Sequence, residues 1–216
     1  MTYDPERHHR RSLRLKGYDY THAGAYFVTI CTQNRECLFG EVVDGEMRLN
    51  DAGRMVEKWW AELNNKFPNI ETDENIVMPN HFHGIVVIAA DRPGLTNGNV
   101  GADLRVCPES TGANDEITGA HTGAPLRGAP LPEIVQWFKT MTTNEYIRGV
   151  KTLDWPPFRG RIWQSNYYEH IIRDEASLNR IREYIANNPM QWALDRENPV
   201  RATHASPLPK DEPWQI

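Results

Sequence analysis

The sequence predicts an α+β fold: a ferredoxin-like, RRM-like split βαβ sheet, with two crossover helices on one face and a C-terminal tyrosine-bearing helix on the other. Three observations predict it. The element signals run strand, helix, strand, strand, helix, strand, which is the order of the split βαβ unit. At 216 residues, 39% hydrophobic and 25% charged, the chain is long and apolar enough for one sizeable core. A further amphipathic segment follows the last strand and can cover the sheet face that the crossover helices leave open.

AYFVTICT at 25–32 is rich in β-branched and aromatic residues and reads as the first strand. In VVDGEMRL at 42–49, Asp44-Gly45 is a hairpin signal. NDAGRMVEKWWAELNNKF opens with a cap, Asn50 or Asp51, and repeats apolar residues at Val56, Trp59/Trp60, Leu63 and Phe67 before Pro68 ends it. NIETDENIVMPN carries a short second strand into the third, HFHGIVVIA. LPEIVQWFKTMTTNEYI at 131–147 is a second helix with Pro132 in its first turn. RIWQSNYYEHIIR at 161–173 reads as a fourth, partly irregular strand. In DEASLNRIREYIANNP, Asp174 is the expected cap, Leu178, Ile181 and Ile185 the apolar stripe, and Pro189 the expected stop.

Residues 91–130 have no apolar period, are dense in Gly, Pro, Thr and Asn, and repeat TGA at 111, 118 and 122. They read as a flexible insertion. The expected organisation is thus one domain over 1–194, carrying that insertion, and a coil tail over 195–216.

Composition excludes several classes. The longest apolar run, GIVVIAA at 84–90, is too short to span a bilayer, and the N-terminus lacks the apolar core of a signal peptide. Cys31, Cys37 and Cys107 are widely spaced and outside any CxxC pattern, so a reducing cytoplasm is expected. The net charge is −5, yet basic residues are clustered. RHHRRSLRLK at 7–16 contains Arg10, Arg11, Arg14 and Lys16 and no acid; the stretch 148–161 contains Arg159 and Arg161 beside Trp155 and Phe158. Such segments suit phosphate contacts, and equally a solvated tail and loop.

The chemistry gathers around MPNHFHGIVV at 78–87. A strand has a side-chain period of two, so His81 and His83 share a face with Ile85 and Val87. Two same-face imidazoles can share a metal ion, or can be a strand-end pair bonded to backbone and water. If the last helix covers Ile85 and Val87, its flank brings Tyr184 and Asn188, neighbours one turn apart, towards the histidines. Tyr167 and Tyr168 are rival nucleophiles in a strand, without a helical Asn or Gln four residues on. His170 has no assigned role.

The chain resembles the REP-associated tyrosine transposases, HUH single-tyrosine enzymes of the insertion-sequence-200-like superfamily. HFH at 81–83 fits the His, hydrophobic, His motif; RRSLRLKGYDYTHAGAYFVTICTQNRECLFGE at 10–41 and IIRDEASLNRIREYIANNPMQW at 171–192 resemble the family's N-terminal and tyrosine-helix blocks. The resemblance implies cleavage and strand transfer of single-stranded DNA at hairpins, REP-like palindromes, through a 5′-phosphotyrosine. It implies Tyr184 as the catalytic nucleophile, with His81, His83 and Asn188 holding a divalent metal, Mg or Mn. The basic clusters themselves supply the expected DNA contacts: Arg10, Arg11, Arg14 and Lys16, an arm that can follow a phosphate backbone, with Arg159 and Arg161. The expected partner is a DNA hairpin rather than a membrane, the expected state a monomer or homodimer, and the expected place the bacterial cytoplasm, on the nucleoid when DNA is bound. The alternative is a catalytically silent nucleic-acid-binding protein on the same fold. A hydrolase using activated water would leave Tyr184 unexplained.

Overall fold

The computed structural model describes residues 19–89 and 129–200. The basic arm with Arg10, Arg11, Arg14 and Lys16, nearly all of the 91–130 insertion and the tail after 200 lie outside the described residues.

A four-stranded antiparallel sheet is built from β1 (Gly24–Cys31), β4 (Ile70–Val77), β5 (His81–Ile88) and β6 (Tyr168–Ile172), in the order β4-β5-β1-β6. This is the predicted α+β split βαβ arrangement. β2 (Gly40–Val43) and β3 (Glu46–Leu49) form a separate two-stranded sheet. Their turn uses Asp44 at φ 54° and Gly45 at φ 78°, the left-handed pair that matches hairpin twist.

Helix α1 (Asp51–Ala61) begins where Asn50 accepts the Gly53 N–H at 2.9 Å, and a short α2 (Leu63–Lys66) follows it. α3 (Leu131–Thr152) runs five residues past the predicted end, since Arg148, Gly149, Val150 and Lys151 carry no stop signal strong enough to end it. β6 is shorter than predicted. Residues 161–167 leave the ladder and meet the end of β1 and the residues after it through a bridge between Thr32 and Trp163 and bonds from Gln33 N to Ile162 O (2.6 Å), from Gln164 N to Cys31 O (2.9 Å) and from Gln164 Nε2 to Thr32 O (3.1 Å).

α4 (Glu175–Gln191) starts at the predicted cap, where Asp174 accepts the Ser177 N–H at 2.6 Å. It does not stop at Pro189. The proline forfeits its own N–H bond, but its buried ring packs inward and its carbonyl accepts the Trp192 N–H, so the chain tightens into a 3-10 turn, Trp192–Leu194.

α1 and α3 cover one sheet face, where Trp60, Phe82 and Phe138 meet at ring separations of 4.6–5.3 Å. α4 covers the other. Leu178, Ile181 and Ile185 bury themselves against Ala25, Phe27, Ile85 and Ile172. Each such side chain contributes roughly 1.5–3 kcal/mol, enough to dock the helix. Arg182 adds a two-pronged pair with Asp73 at the irregularity in β4, Nε to Oδ1 at 3.1 Å and Nη2 to Oδ2 at 2.5 Å.

Gly84 follows His83 on β5, faces the opposite side of the sheet and admits Trp60. A Cβ there would sit 2.5 Å from Trp60 Cζ2 and 2.8 Å from Phe82 Cε1. Gly84→Ala is therefore expected to lower unfolding free energy by about 1–3 kcal/mol through overpacking, read as a lower urea midpoint at unchanged slope.

Candidate functional site

The strand period places His81 and His83 on the α4 face, and both are buried, at 0% and 3% exposure. Their rings lie 4.6 Å apart. Tyr184, half-buried on α4, stands edge-on to His83 at 5.4 Å and to Phe27 at 6.2 Å, while Phe27 stacks on His83 at 5.3 Å. Asn188, one turn further along α4 and 1% exposed, stands near enough to His81 to favour its charged form. Tertiary packing thus brings together Tyr184, His81, His83 and Asn188, four residues drawn from β5 and α4.

Hydrogen bonds set how the imidazoles face. Asn80, 0% exposed, donates its amide hydrogens to the carbonyls of Arg35 (3.1 Å) and Glu197 (2.6 Å). Its Oδ1 therefore faces His81 Nδ1 at 2.9 Å and can only accept, so the His81 proton belongs on Nδ1. His83 Nδ1 meets Thr29 Oγ1 at 2.8 Å. The outer nitrogens, His81 Nε2 and His83 Nε2, and the oxygen Asn188 Oδ1 are buried with no hydrogen-bond partner. Three such atoms in one place are unusual, because a buried polar group without a partner loses its hydration for nothing.

Burial depresses both histidine pKa values below the ordinary 6.5, His83 further because His81 is its neighbour, while Asp195 and Glu197 partly oppose the shift at His81. Neutral imidazoles with outward lone pairs are what a metal ligand requires. Two neutral nitrogens and an amide oxygen suit Mn²⁺ well and Mg²⁺ acceptably, so the donor set fits a divalent ion. Among the described residues no group of three or more His, Cys, Asp or Glu is gathered for a metal; the third donor here is an amide.

The histidine shifts have a consequence for metal-free protein. Below pH 6.5 the unfolded chain takes up protons that the folded site resists, so stability falls as pH drops towards the lowered folded values. The slope is at most about 1.4 kcal/mol per pH unit for each histidine. Unfolding in EDTA between pH 5 and 8 should show this fall, and His83→Gln should flatten it.

The rival tyrosines separate. Tyr168 pairs with Thr29, which in turn pairs with His83, so it shares the α4 face but stands two strands from His83, about 10 Å at the backbone. Tyr167 packs towards the opposite core, its ring 5.4 Å from Lys139 Nζ. His170 lies opposite Phe27, with burial and Arg173 lowering its pKa.

Arg159 and Arg161 are exposed on the segment that joins α3 to β6. That segment is fastened by Lys139 Nζ, which donates to the carbonyls of Gln164 (3.0 Å) and Asn166 (3.2 Å), and by Trp163, whose indole donates to Thr142 Oγ1 at 2.9 Å. It runs along the end of β1 at Cys31 and Thr32, and Cys31 pairs with His81. The two arginines therefore stand at the histidine end of the sheet.

Five supporting residues were not singled out by sequence reasoning: Thr29, Asn80, Trp192, Asp195 and Glu197. Asn80 adjoins the histidine motif, and that adjacency was the one available signal. The others arrive by pairing or by the return of the chain. Trp192 stands 6.0 Å from the His81 ring, Asp195 Oδ2 is 3.9 Å from His81 Nε2, and Glu197 pairs with Arg35 at 3.0 Å.

No family model matches the chain. An uncharacterized protein of Haemophilus influenzae is 40% identical over 191 residues, which cover 88% of this chain and 93% of that protein. The chain belongs to that protein's family. Among solved structures, a REP-associated tyrosine transposase bound to a REP hairpin is similar with a TM-score of 0.48 and 16% identity, over 82% of this chain and 73% of that one. Among the described residues no helix is long and apolar enough to cross a membrane.

Proposed function

We propose that the protein cleaves and rejoins single-stranded DNA at hairpins, with Tyr184 as nucleophile and a divalent ion held by His81, His83 and Asn188. The observation that carries this reading is the docking of α4, which sets Tyr184 against His83 in the same place as three buried, partnerless donor atoms. A structural role alone leaves those donors unexplained.

The ion supplies Lewis-acid neutralisation of the charge that builds on the scissile phosphate. The residues do the rest. Asn80 and Thr29 orient the imidazoles. Phe27 and His83 restrain the Tyr184 ring, which limits the orientations its hydroxyl samples. The Tyr184 oxygen forms a bond to phosphorus as the bond to the 3′-oxygen breaks, and the proton given up by the phenol ends on that 3′-hydroxyl. The product is a 5′-phosphotyrosine. One phosphoester replaces another, so the reverse reaction with a new 3′-hydroxyl completes strand transfer with no external energy source. Arg159 and Arg161, with the arm of Arg10, Arg11, Arg14 and Lys16, suit contacts to the phosphate backbone, which position the strand without reading its sequence. A cytoplasmic protein acting on REP-like palindromes, as monomer or homodimer, is the setting consistent with this chemistry.

The test is incubation of the full chain with end-labelled hairpin DNA carrying single-stranded flanks, with Mn²⁺ or Mg²⁺. A covalent protein–DNA adduct resistant to denaturant is the expected result. Hairpin binding without adduct or cleavage would instead favour the binding-only protein on the same fold.

A further inference from the structure

We infer that Asn80 is a positioning residue that locks His81 in the tautomer able to bind a cation, and that the carbonyls of Arg35 and Glu197 hold this lock. The inference rests on the metal site proposed above. It makes two distant segments part of the site: the turn after β1, and the stretch around Glu197 that the sequence assigns to a coil tail.

A carboxamide has two sides of opposite character, an oxygen that accepts and an NH₂ that donates. The side that meets His81 decides where the imidazole proton goes. With Asn80 Oδ1 at 2.9 Å from His81 Nδ1, the ring donates from Nδ1 and Nε2 keeps its lone pair. With the amide turned over, Nδ2 would donate to Nδ1 and the proton would move to Nε2. A protonated nitrogen binds no cation. The same ring in the same place is a ligand in the first case and none in the second.

Two carbonyls exclude the second case. Asn80 Nδ2 donates to Arg35 O at 3.1 Å and to Glu197 O at 2.6 Å, partners 45 and 117 residues away along the chain. Turning the amide over would set Oδ1 against both carbonyl oxygens and forfeit both bonds. Asn80 is fully buried, so water cannot replace them. Its backbone is fastened too, its carbonyl accepting the Thr32 N–H at 2.8 Å.

Each of the two carbonyls is held in turn. Arg35 and its neighbour Asn34 both have φ 57°, a left-handed backbone that residues other than glycine rarely adopt. Glu197 donates its N–H to Asp195 Oδ1 at 2.6 Å, and its carboxylate pairs with Arg35 Nε at 3.0 Å. One ion pair thus ties together the two residues whose carbonyls orient Asn80. His83 has no such lock, because its Nδ1 meets the Thr29 hydroxyl at 2.8 Å, and a hydroxyl can donate or accept.

The test reads the tautomer directly, by long-range ¹H–¹⁵N correlation on the ¹⁵N-labelled full chain in EDTA, above pH 7 where imidazoles are neutral. His81→Gln assigns the signals. In the wild type His81 should be protonated at Nδ1 and bare at Nε2. In Asn80→Ala the proton should move to Nε2 with the His83 signals unchanged. Mn²⁺ affinity, followed as free Mn²⁺ by electron paramagnetic resonance, should fall about tenfold to a hundredfold. Asn80→Asp presents an acceptor whichever way it turns, so it should restore the tautomer and most of the affinity. Arg35→Ala leaves Asn80 in place and should give a mixture of tautomers with a smaller loss of affinity. Near-UV circular dichroism and thermal melting establish that each variant is folded; if Asn80→Ala does not fold, the wild-type tautomer and Arg35→Ala decide. A wild-type His81 protonated at Nε2 overturns the inference. So does a folded Asn80→Ala that melts lower yet keeps the wild-type tautomer and affinity, as a merely structural residue would. Wild-type behaviour in Arg35→Ala overturns the part given to the ion pair. The expected tautomers without any Mn²⁺ binding by the wild type overturn the metal site and leave the lock standing.

Discussion

Replacing Tyr184 with Phe is expected to abolish the covalent protein–DNA adduct and to reduce hairpin cleavage by at least about 10³-fold, because it removes the oxygen proposed to attack phosphorus. The substitution removes one oxygen and leaves the ring that packs edge-on to His83 at 5.4 Å and Phe27 at 6.2 Å. Folding and hairpin binding should therefore persist, as native gel shift and thermal melting would show. Tyr168→Phe is the internal control. Across β1 from His83, its side chain starts about 10 Å from the histidine backbone, and its loss should leave the adduct in place. Cleavage that survives in Tyr184→Phe and fails in Tyr168→Phe would reassign the nucleophile.

His81→Ala and His83→Ala are each expected to reduce Mn²⁺-dependent cleavage by about 10²–10³-fold, the usual scale for losing electrostatic stabilisation of a transition state. Shape recognition of the hairpin should be little changed, since both side chains are buried and neither offers a surface to DNA. Asn188→Ala should follow in the same direction with a smaller loss, as one amide oxygen binds a cation less strongly than an imidazole. The measurement is single-turnover cleavage against Mn²⁺ concentration, which separates weaker ion binding from slower chemistry. If both histidine variants cleave like the wild type at every Mn²⁺ concentration, the metal role fails.

Local order was legible wherever one signal dominates. Asn50 and Asp174 cap their helices as their side-chain chemistry dictates, and Asp44-Gly45 makes the hairpin turn for which left-handed backbone angles are required. The same-face relation of His81 and His83 follows from strand periodicity and needs no fold. Signals failed where a local rule met a tertiary demand. Pro189 reads as a helix stop, yet the turn continues because its ring is buried and Trp192, three residues on, donates its N–H to the Pro189 carbonyl. The stretch 161–167 reads as strand, yet Lys139 and Trp163 hold it as an irregular loop.

The sequence by itself determined that this chain makes a split βαβ sheet, that two imidazoles share a face of its third strand, and that Tyr184 and Asn188 share a flank of its last helix. Each is a property of spacing, and spacing is written in the chain. Tertiary structure alone decided that these two pairs meet. That depends on Leu178, Ile181 and Ile185 finding Phe27 and Ile85, and on Arg182 finding Asp73, contacts between segments about a hundred residues apart. It decided too that Asn80 turns the His81 lone pair outward and that the chain returns after α4 to place Asp195 before it. Such orientation is set by hydrogen bonds whose partners lie far along the chain, and no local pattern encodes them.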